Sequence, residues 1–268
     1  IMQSSIFKVL FIGDIVGSPG RRALKNILPS LMERFKPDLV IANGENAAGG
    51  FGLTRSVVEE ILSTGVNVIT TGNHVWDKKE GVELLQKGEY PLLRPYNYPL
   101  RAPGKGYIEL EKVIVVNLQG RIFMPPINCP FERMEEILLK FGGKKSIIVD
   151  FHAEATSEKL AFAYYFDGKV TAIIGTHTHV PTADERILPK GTAYITDVGM
   201  TGPVDSIIGM TPEKVLRRFL TGIPEKLEVA GGRVSLQGVF IEIDLDLFKA
   251  ISIKRIDETL NTEEGVNL

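Results

Sequence analysis

The chain predicts a layered α/β fold, with strands parallel over most of its length and antiparallel at the end. Two observations carry this reading. Strand-sized apolar runs alternate with segments of helical period, and the last two apolar runs, "RVSLQGVFIEIDL" and "KAISIKRI", follow one another with no helix between them. The composition agrees: 268 residues, 44% hydrophobic and 24% charged, suffice to bury a large core. No repeat or low-complexity segment interrupts the order, and one domain spanning residues 1–268 is expected.

Taken in order, "FKVLFIGD" is the first strand. In "SPGRRALKNILPSLMERF", Leu24, Leu28, Leu31, Met32 and Phe35 recur at helical spacing, Ser18 and Pro19 suit a helix start, and Pro29 marks a place for a kink. "DLVIANGEN" is a strand, "TRSVVEEILSTG" a helix ending at Gly65, and "VNVITTGNH" a third strand. Asp77 and Glu80 read as a capping box opening the helix "KKEGVELLQKG". "YIELEKVIVVNLQG" predicts a strand pair turning at Glu111 and Lys112. "FERMEEILLKF" is a helix, "KSIIVDFHAE" a strand and "SEKLAFAYYF" a helix. The strands "VTAIIGTHTH" and "AYITDVG" precede a helix capped by Thr211 and Pro212. The Pro-rich stretches "YPLLRPYNYP" and "MPPINCPF" read as irregular loops, so small cap or lid elements are expected around 76–106 and 121–135.

Charge and cysteine content narrow the function classes. A net charge of −2 argues against a partner held by broad phosphate neutralisation, so no long nucleic acid is expected, whereas a small anionic substrate fits. The longest apolar runs are strand-sized; no membrane association and a cytoplasmic location are expected. A lone cysteine, Cys129, excludes an internal disulfide and a thiolate metal cluster, and reads as a packed thiol.

The polar residues at strand ends carry the chemistry. Apolar strands end in "IGD" with Asp14, "ANGEN" with Glu45 and Asn46, "TTGNH" with Asn73 and His74, "VDFH" with His152, and "GTHTH" with His177 and His179. All four histidines sit at such ends. In an open α/β sheet ligands bind beyond the carboxyl ends of strands, so these groups converge if the strands are neighbours. Imidazole with carboxylate oxygen suits borderline first-row metals, and the donor count exceeds what one tetrahedral ion needs. Two cations about 3.5–4 Å apart, bridged by a carboxylate, hold a water between them for in-line attack on phosphorus.

The motifs "GDIVG", "GEN", "GNHVWD", "DFHAEATSEK" and "GTHTHV" resemble the metallophosphoesterase (calcineurin-like) series. With "NLQGRIFMPP", "TDVGMTGP" and "SIIGM", the chain resembles more closely the YmdB-type family of bacterial cyclic-nucleotide phosphodiesterases, from about Val9 to Ile256. Val16 stands where the wider superfamily has a histidine, and Glu45 where it has an aspartate; both departures match the subgroup. The resemblance implies a sandwich of mixed sheets flanked by helices and two ions, iron or manganese first and zinc second. One would be held by Asp14, Glu45 and His179 with Asn46 beside it, the other by Glu45, Asn73, His152 and His177. It further implies His74 as general acid, a metal-bridging hydroxide as nucleophile, hydrolysis of 2′,3′-cyclic nucleotides to 3′-nucleotides, and a dimer or tetramer of identical chains.

Smaller expectations concern the pocket. Thr178 and Arg121 are candidate substrate contacts, Thr176 and Thr178 also serve as turn residues, and Trp76 is a packing residue placed where it could stack on a base. Arg21 and Arg22 follow Asp14 at a helix start and suit either a phosphate or solvent. Two other functions compete: a phosphomonoesterase or broader phosphatase on the same metal site, and a non-catalytic nucleotide-binding regulator, against which His74 argues because a binding module needs no proton donor.

Overall fold

The computed structural model describes residues 6–260. Its strands are β1 (Ile6–Ile12), β2 (Asp14–Ile15), β3 (Leu39–Asn43), β4 (Val68–Thr70), β5 (Tyr107–Glu109), β6 (Val113–Gln119), β7 (Ser146–His152), β8 (Ala172–Thr176), β9 (Arg186–Ile187), β10 (Ala193–Ile195), β11 (Met200–Pro203), β12 (Val234–Asp244) and β13 (Lys249–Leu260). Its helices are α1 (Gly17–Phe35), α2 (Arg55–Ser63), α3 (Lys79–Lys87), α4 (Pro130–Phe141), α5 (Thr156–Phe166) and α6 (Pro212–Thr221).

The strands form two mixed sheets. In the first, the order is β2-β11-β12-β1-β3-β4, with β13 on β12; in the second it is β5-β6-β7-β8-β10-β9. Within each sheet the strands that lead to site residues run parallel: β1, β3 and β4 in one, β7 and β8 in the other. The closing strands β12 and β13 pair antiparallel, as the uninterrupted runs predict. The inner faces pack on each other through Val9, Phe11 and Ile41 from one sheet and Val115, Ile148 and Ile174 from the other. The outer face of the first sheet is covered by α1, α2 and α3, whose Leu24, Leu28, Val58 and Leu84 are buried, and that of the second by α4 and α5 through Met134, Ile137, Phe162 and Phe166. Strands buried on both faces explain why the sequence shows continuous apolar runs rather than alternation.

Three local expectations are corrected. The capping box does not form: α3 starts after Lys78, Asp77 Oδ2 bonds the local His74 Nδ1, and Glu80 Oε1 accepts from the distant Arg55 amide, so both carboxylates are committed to other partners. Thr211 stands at the start of α6, but its hydroxyl makes no cap bond; Pro212 sets the first turn. The Pro-rich stretch is built in rather than laid over. Leu92 and Leu93 are core residues, and buried Asn97 bonds the backbone of Gln119 and Asn128. Helix α1 runs through Pro29 as one element, its ring lying on a solvent-facing turn. Among the described residues no helix is long and apolar enough to cross a membrane.

Candidate metal centre

Parallel strands send their C-termini to one rim, and both sheets contribute donors there. Around His152 Nε2 lie Glu45 Oε1 at 2.8 Å, His177 Nδ1 at 3.0 Å and Asn73 Oδ1 at 3.2 Å. A second group gathers at His179, whose Nε2 is 3.1 Å from Asn46 Nδ2 and 3.8 Å from Asp14 Oδ1. Asp14, Glu45 and His152 are wholly buried. Glu45, His152 and His177 each offer a ligand atom, and the three atoms lie within 4.8 Å of one another, close enough to share one ion.

The ring nitrogens have fixed roles. The Thr176 hydroxyl donates to Asp150 Oδ1 at 2.7 Å, so its oxygen accepts from His152 Nδ1 at 2.8 Å, and Nε2 is the nitrogen offered to the cluster. His177 turns Nε2 to Glu154 at 3.1 Å and Nδ1 inward; His179 donates from Nδ1 to the Ile208 carbonyl at 2.9 Å and turns Nε2 inward. Each imidazole thus has an outer acceptor that sets its tautomer, the arrangement that metal-ligating histidines require. His74 lies beside them, its Nδ1 2.8 Å from Asp77 Oδ2 and its amide donating to Glu45 Oε2 at 2.9 Å.

The electrostatics of the cluster suit a cation. Asp14 Oδ1 and Asn46 Oδ1 are buried oxygens with no hydrogen-bond donor, and the buried Glu45 Oε1 faces only the His152 ring nitrogen at 2.8 Å, an expensive state unless positive charge compensates it. Burial raises the Asp14 carboxyl above its ordinary range. Burial pushes Glu45 the same way, but the facing His152 overcomes it and holds Glu45 at about 2. Reciprocally, burial opposes the charge on His152 while Glu45, Asp14 and Asp150 raise it to about 9, so before an ion enters a proton occupies the ligand nitrogen. Burial and the neighbouring His152 lower His177 to about 3, leaving its nitrogen free to bind.

The loop "THTHV" is held under strain. His177 and His179 both have positive φ, 108° and 65°. The His177 amide donates to Asp14 Oδ2, and the Thr178 amide to Asp197 Oδ2, itself 2.9 Å from the ammonium of the buried Lys159. That ion pair links α5 and the segment after β10 to the loop between the two histidines.

A cavity of about 770 Å³ opens from these donors. Glu45, Asn46, Phe51, His74, His177 and Thr178 line its donor end, while Ile208, Met210, Val215, Arg218 and Phe219 line the part toward α6. The Thr178 hydroxyl also closes a turn on Val180. Arg121 does not line the cavity; it is exposed, and its amide is held by Glu158. Neither expected lid stretch supplies a wall. Arg21 braces the loop after Glu45 by donating to the Ala47 carbonyl at 2.5 Å, and Arg22 bonds the Gly232 carbonyl. Trp76 packs edge-on against Tyr98. Sequence reading missed Asp77, Asp150, Glu154, Lys159 and Asp197; the spacing of three between His74 and Asp77 was the one local signal available.

A family model described as YmdB-like protein matches residues 10–256. The chain belongs to the YmdB-like family. It is 50% identical over 255 residues to the 2′,3′-cyclic-nucleotide 2′-phosphodiesterase of Bacillus subtilis, covering 93% of this chain and 96% of that protein. A crystal structure of a novel phosphatase from Mycoplasma pneumoniae superposes with a TM-score of 0.90 at 41% identity, covering 98% of this chain and 96% of the other. That of a hypothetical protein from Thermus thermophilus gives 0.88 at 44% identity, covering 94% and 99%. The YmdB-like chain thus matches each of these proteins over more than nine-tenths of its length and shares its layered architecture with the two solved structures.

Proposed function

We propose that this YmdB-like protein is a metal-dependent phosphodiesterase that opens small phosphodiesters, 2′,3′-cyclic nucleotides above all, to 3′-nucleotides. The observation that carries the reading is the meeting, from both sheets, of oriented imidazoles with buried carboxylate and carboxamide oxygens that lack donors. Its near full-length relative in Bacillus subtilis is named for this reaction. Asp14, Asn46 and His179 would hold one ion, Asn73, His152 and His177 the other, with Glu45 between them. Imidazole with carboxylate and carboxamide oxygen, and no thiolate, suits iron or manganese ahead of zinc. Bound ions would neutralise charge on the phosphoryl oxygens and supply a deprotonated water at neutral pH.

The chain's own groups do the rest. His74 lines the cavity with Nδ1 committed to Asp77, so its Nε2 is the atom that protonates the departing ribose 2′-oxygen. The Thr178 hydroxyl, at the same end, is a contact for the phosphoryl or ribose oxygens. All of this machinery lies in one domain.

The test is turnover of 2′,3′-cyclic AMP by protein loaded with Mn²⁺ or Fe²⁺, with 3′-AMP as the comparison substrate. The diester is expected to be opened and 3′-AMP to accumulate; Glu45→Gln is expected to lose turnover. An intact diester would refute the reading, further cleavage of 3′-AMP at a comparable rate would mark a phosphomonoesterase, and full activity of Glu45→Gln would remove the shared carboxylate.

A further inference from the structure

We infer that Phe51 is the stacking platform for the nucleobase, and so the residue that makes this site a nucleotide site rather than a general phosphodiester site. The inference rests on the role proposed for His74. In a 2′,3′-cyclic nucleotide the 2′-oxygen and the base are carried by adjacent ribose carbons, C2′ and C1′, whereas the 3′-oxygen is one carbon further away. Although the base and the 2′-oxygen stand on opposite faces of the ribose, a group that protonates the 2′-oxygen is nearer the base than one that serves the 3′-oxygen. The Phe51 ring is there: its centroid is 5.0 Å from that of His74, with the planes tilted by 59°, and both residues line the cavity.

The loop around it is shaped for this. Phe51 sits in "AAGGFGLT", and Gly49, Gly50 and Gly52 all have positive φ, 71°, 100° and 72°. At Gly50 a Cβ would come within 2.9 Å of Val229, so the loop closes down on the wall beyond the cavity only because no side chain intervenes. Its root is braced by Arg21 on the Ala47 carbonyl. The ring is half-buried, tilted against His74 and with no other aromatic partner among the described residues. Trp76, the other ring close in sequence to His74, is taken up by Tyr98. Phe219 also lines the cavity, but from α6, where it is 82% exposed and makes no aromatic contact among the described residues. Stacking accepts every base because every base has a π-face, so the expected substrate range is all four 2′,3′-cyclic nucleotides, with purines ahead through larger overlap.

The experiment compares Mn²⁺-loaded wild type, Phe51→Ala, Phe51→Trp and Phe219→Ala on 2′,3′-cyclic AMP and on the base-less methyl β-ribofuranoside 2′,3′-cyclic phosphate. Wild type is expected to prefer the nucleotide in kcat/KM by about tenfold or more, mostly through KM. That ratio should collapse toward one in Phe51→Ala, return in Phe51→Trp and stay in Phe219→Ala. Calorimetry gives a readout independent of turnover: the preference for binding 3′-AMP over ribose 3-phosphate should vanish in Phe51→Ala. An unchanged ratio in Phe51→Ala, its loss in Phe219→Ala, or equal weakening on both substrates overturns the inference, the last by showing that Phe51 only supports His74. Failure of wild type on both diesters would instead refute the proposed function, and this inference with it.

Discussion

Every imidazole of the centre commits one nitrogen to an outer acceptor, and the chemistry of each acceptor follows from where it stands. Thr176 and Asp150 are buried and fix His152 through a neutral hydroxyl, while Glu154 reaches His177 from the exposed side. Asp77 plays the same part for His74. Asp77→Asn is expected to lower kcat about 10- to 100-fold with KM held, less than the roughly 10²- to 10⁴-fold loss for His74→Asn, since general acid catalysis as a whole contributes on that order; steady-state kinetics on 2′,3′-cyclic AMP check it. Protons compete with metal at one nitrogen above all. His152, raised to about 9 by its carboxylate neighbours, must lose its proton on binding at pH 7, whereas Glu45 and His177, held at about 2 and about 3, have none to give. Apparent metal affinity should therefore fall as pH drops below about 9. Calorimetric titration in buffers of different ionisation enthalpy should find about one proton released by these three groups together at pH 7.

At the scale of elements, the centre depends on how closely a turn can pass a ligand. Gly72 follows β4, and a Cβ there would lie 2.1 Å from His152 Cδ2 and 2.2 Å from Nε2. Gly72→Ala should push the imidazole off its position and lower metal affinity at least 10- to 100-fold with the far-ultraviolet circular dichroism unchanged; metal titration of the folded variant decides it. Turn chemistry is also where local reading went astray. Asp77 and Glu80 have the spacing of a capping box, yet Asp77 bonds the ring of His74 three residues before it and Glu80 bonds the Arg55 amide brought up by the fold. Helical and strand periods survived that competition because apolar burial, unlike a single cap bond of about 1 kcal/mol, is shared over many residues.

Across the whole molecule, the two sheets meet at the site over a polar seam. Asp150 of β7 accepts from Asn43 of β3 and Thr70 of β4, and Asn117 of β6 pairs through both amide atoms with the backbone of Thr71. Ions held by Asp14, Glu45 and Asn73 from one sheet and His152 and His177 from the other would staple that seam. Removing them with EDTA should lower Tm by about 5 °C or more, because a ligand present at 100 times its Kd stabilises the folded state by about 2.7 kcal/mol; calorimetric scans before and after chelation measure this. The candidate donors were legible in the chain, since Asp14, Glu45, Asn73, His152 and the pair His177 and His179 all follow apolar strands, and the strands themselves follow from period and burial. What stayed hidden were Lys159 with Asp197 beneath the strained histidine loop, Asp150 in the seam, and the cavity wall from Ile208 to Phe219. These are contacts between residues far apart in sequence. Sequence by itself determined which atoms could bind a cation; only packing two sheets face to face decided which of them meet, because distances between strand ends are set by the core between the sheets and by no local pattern.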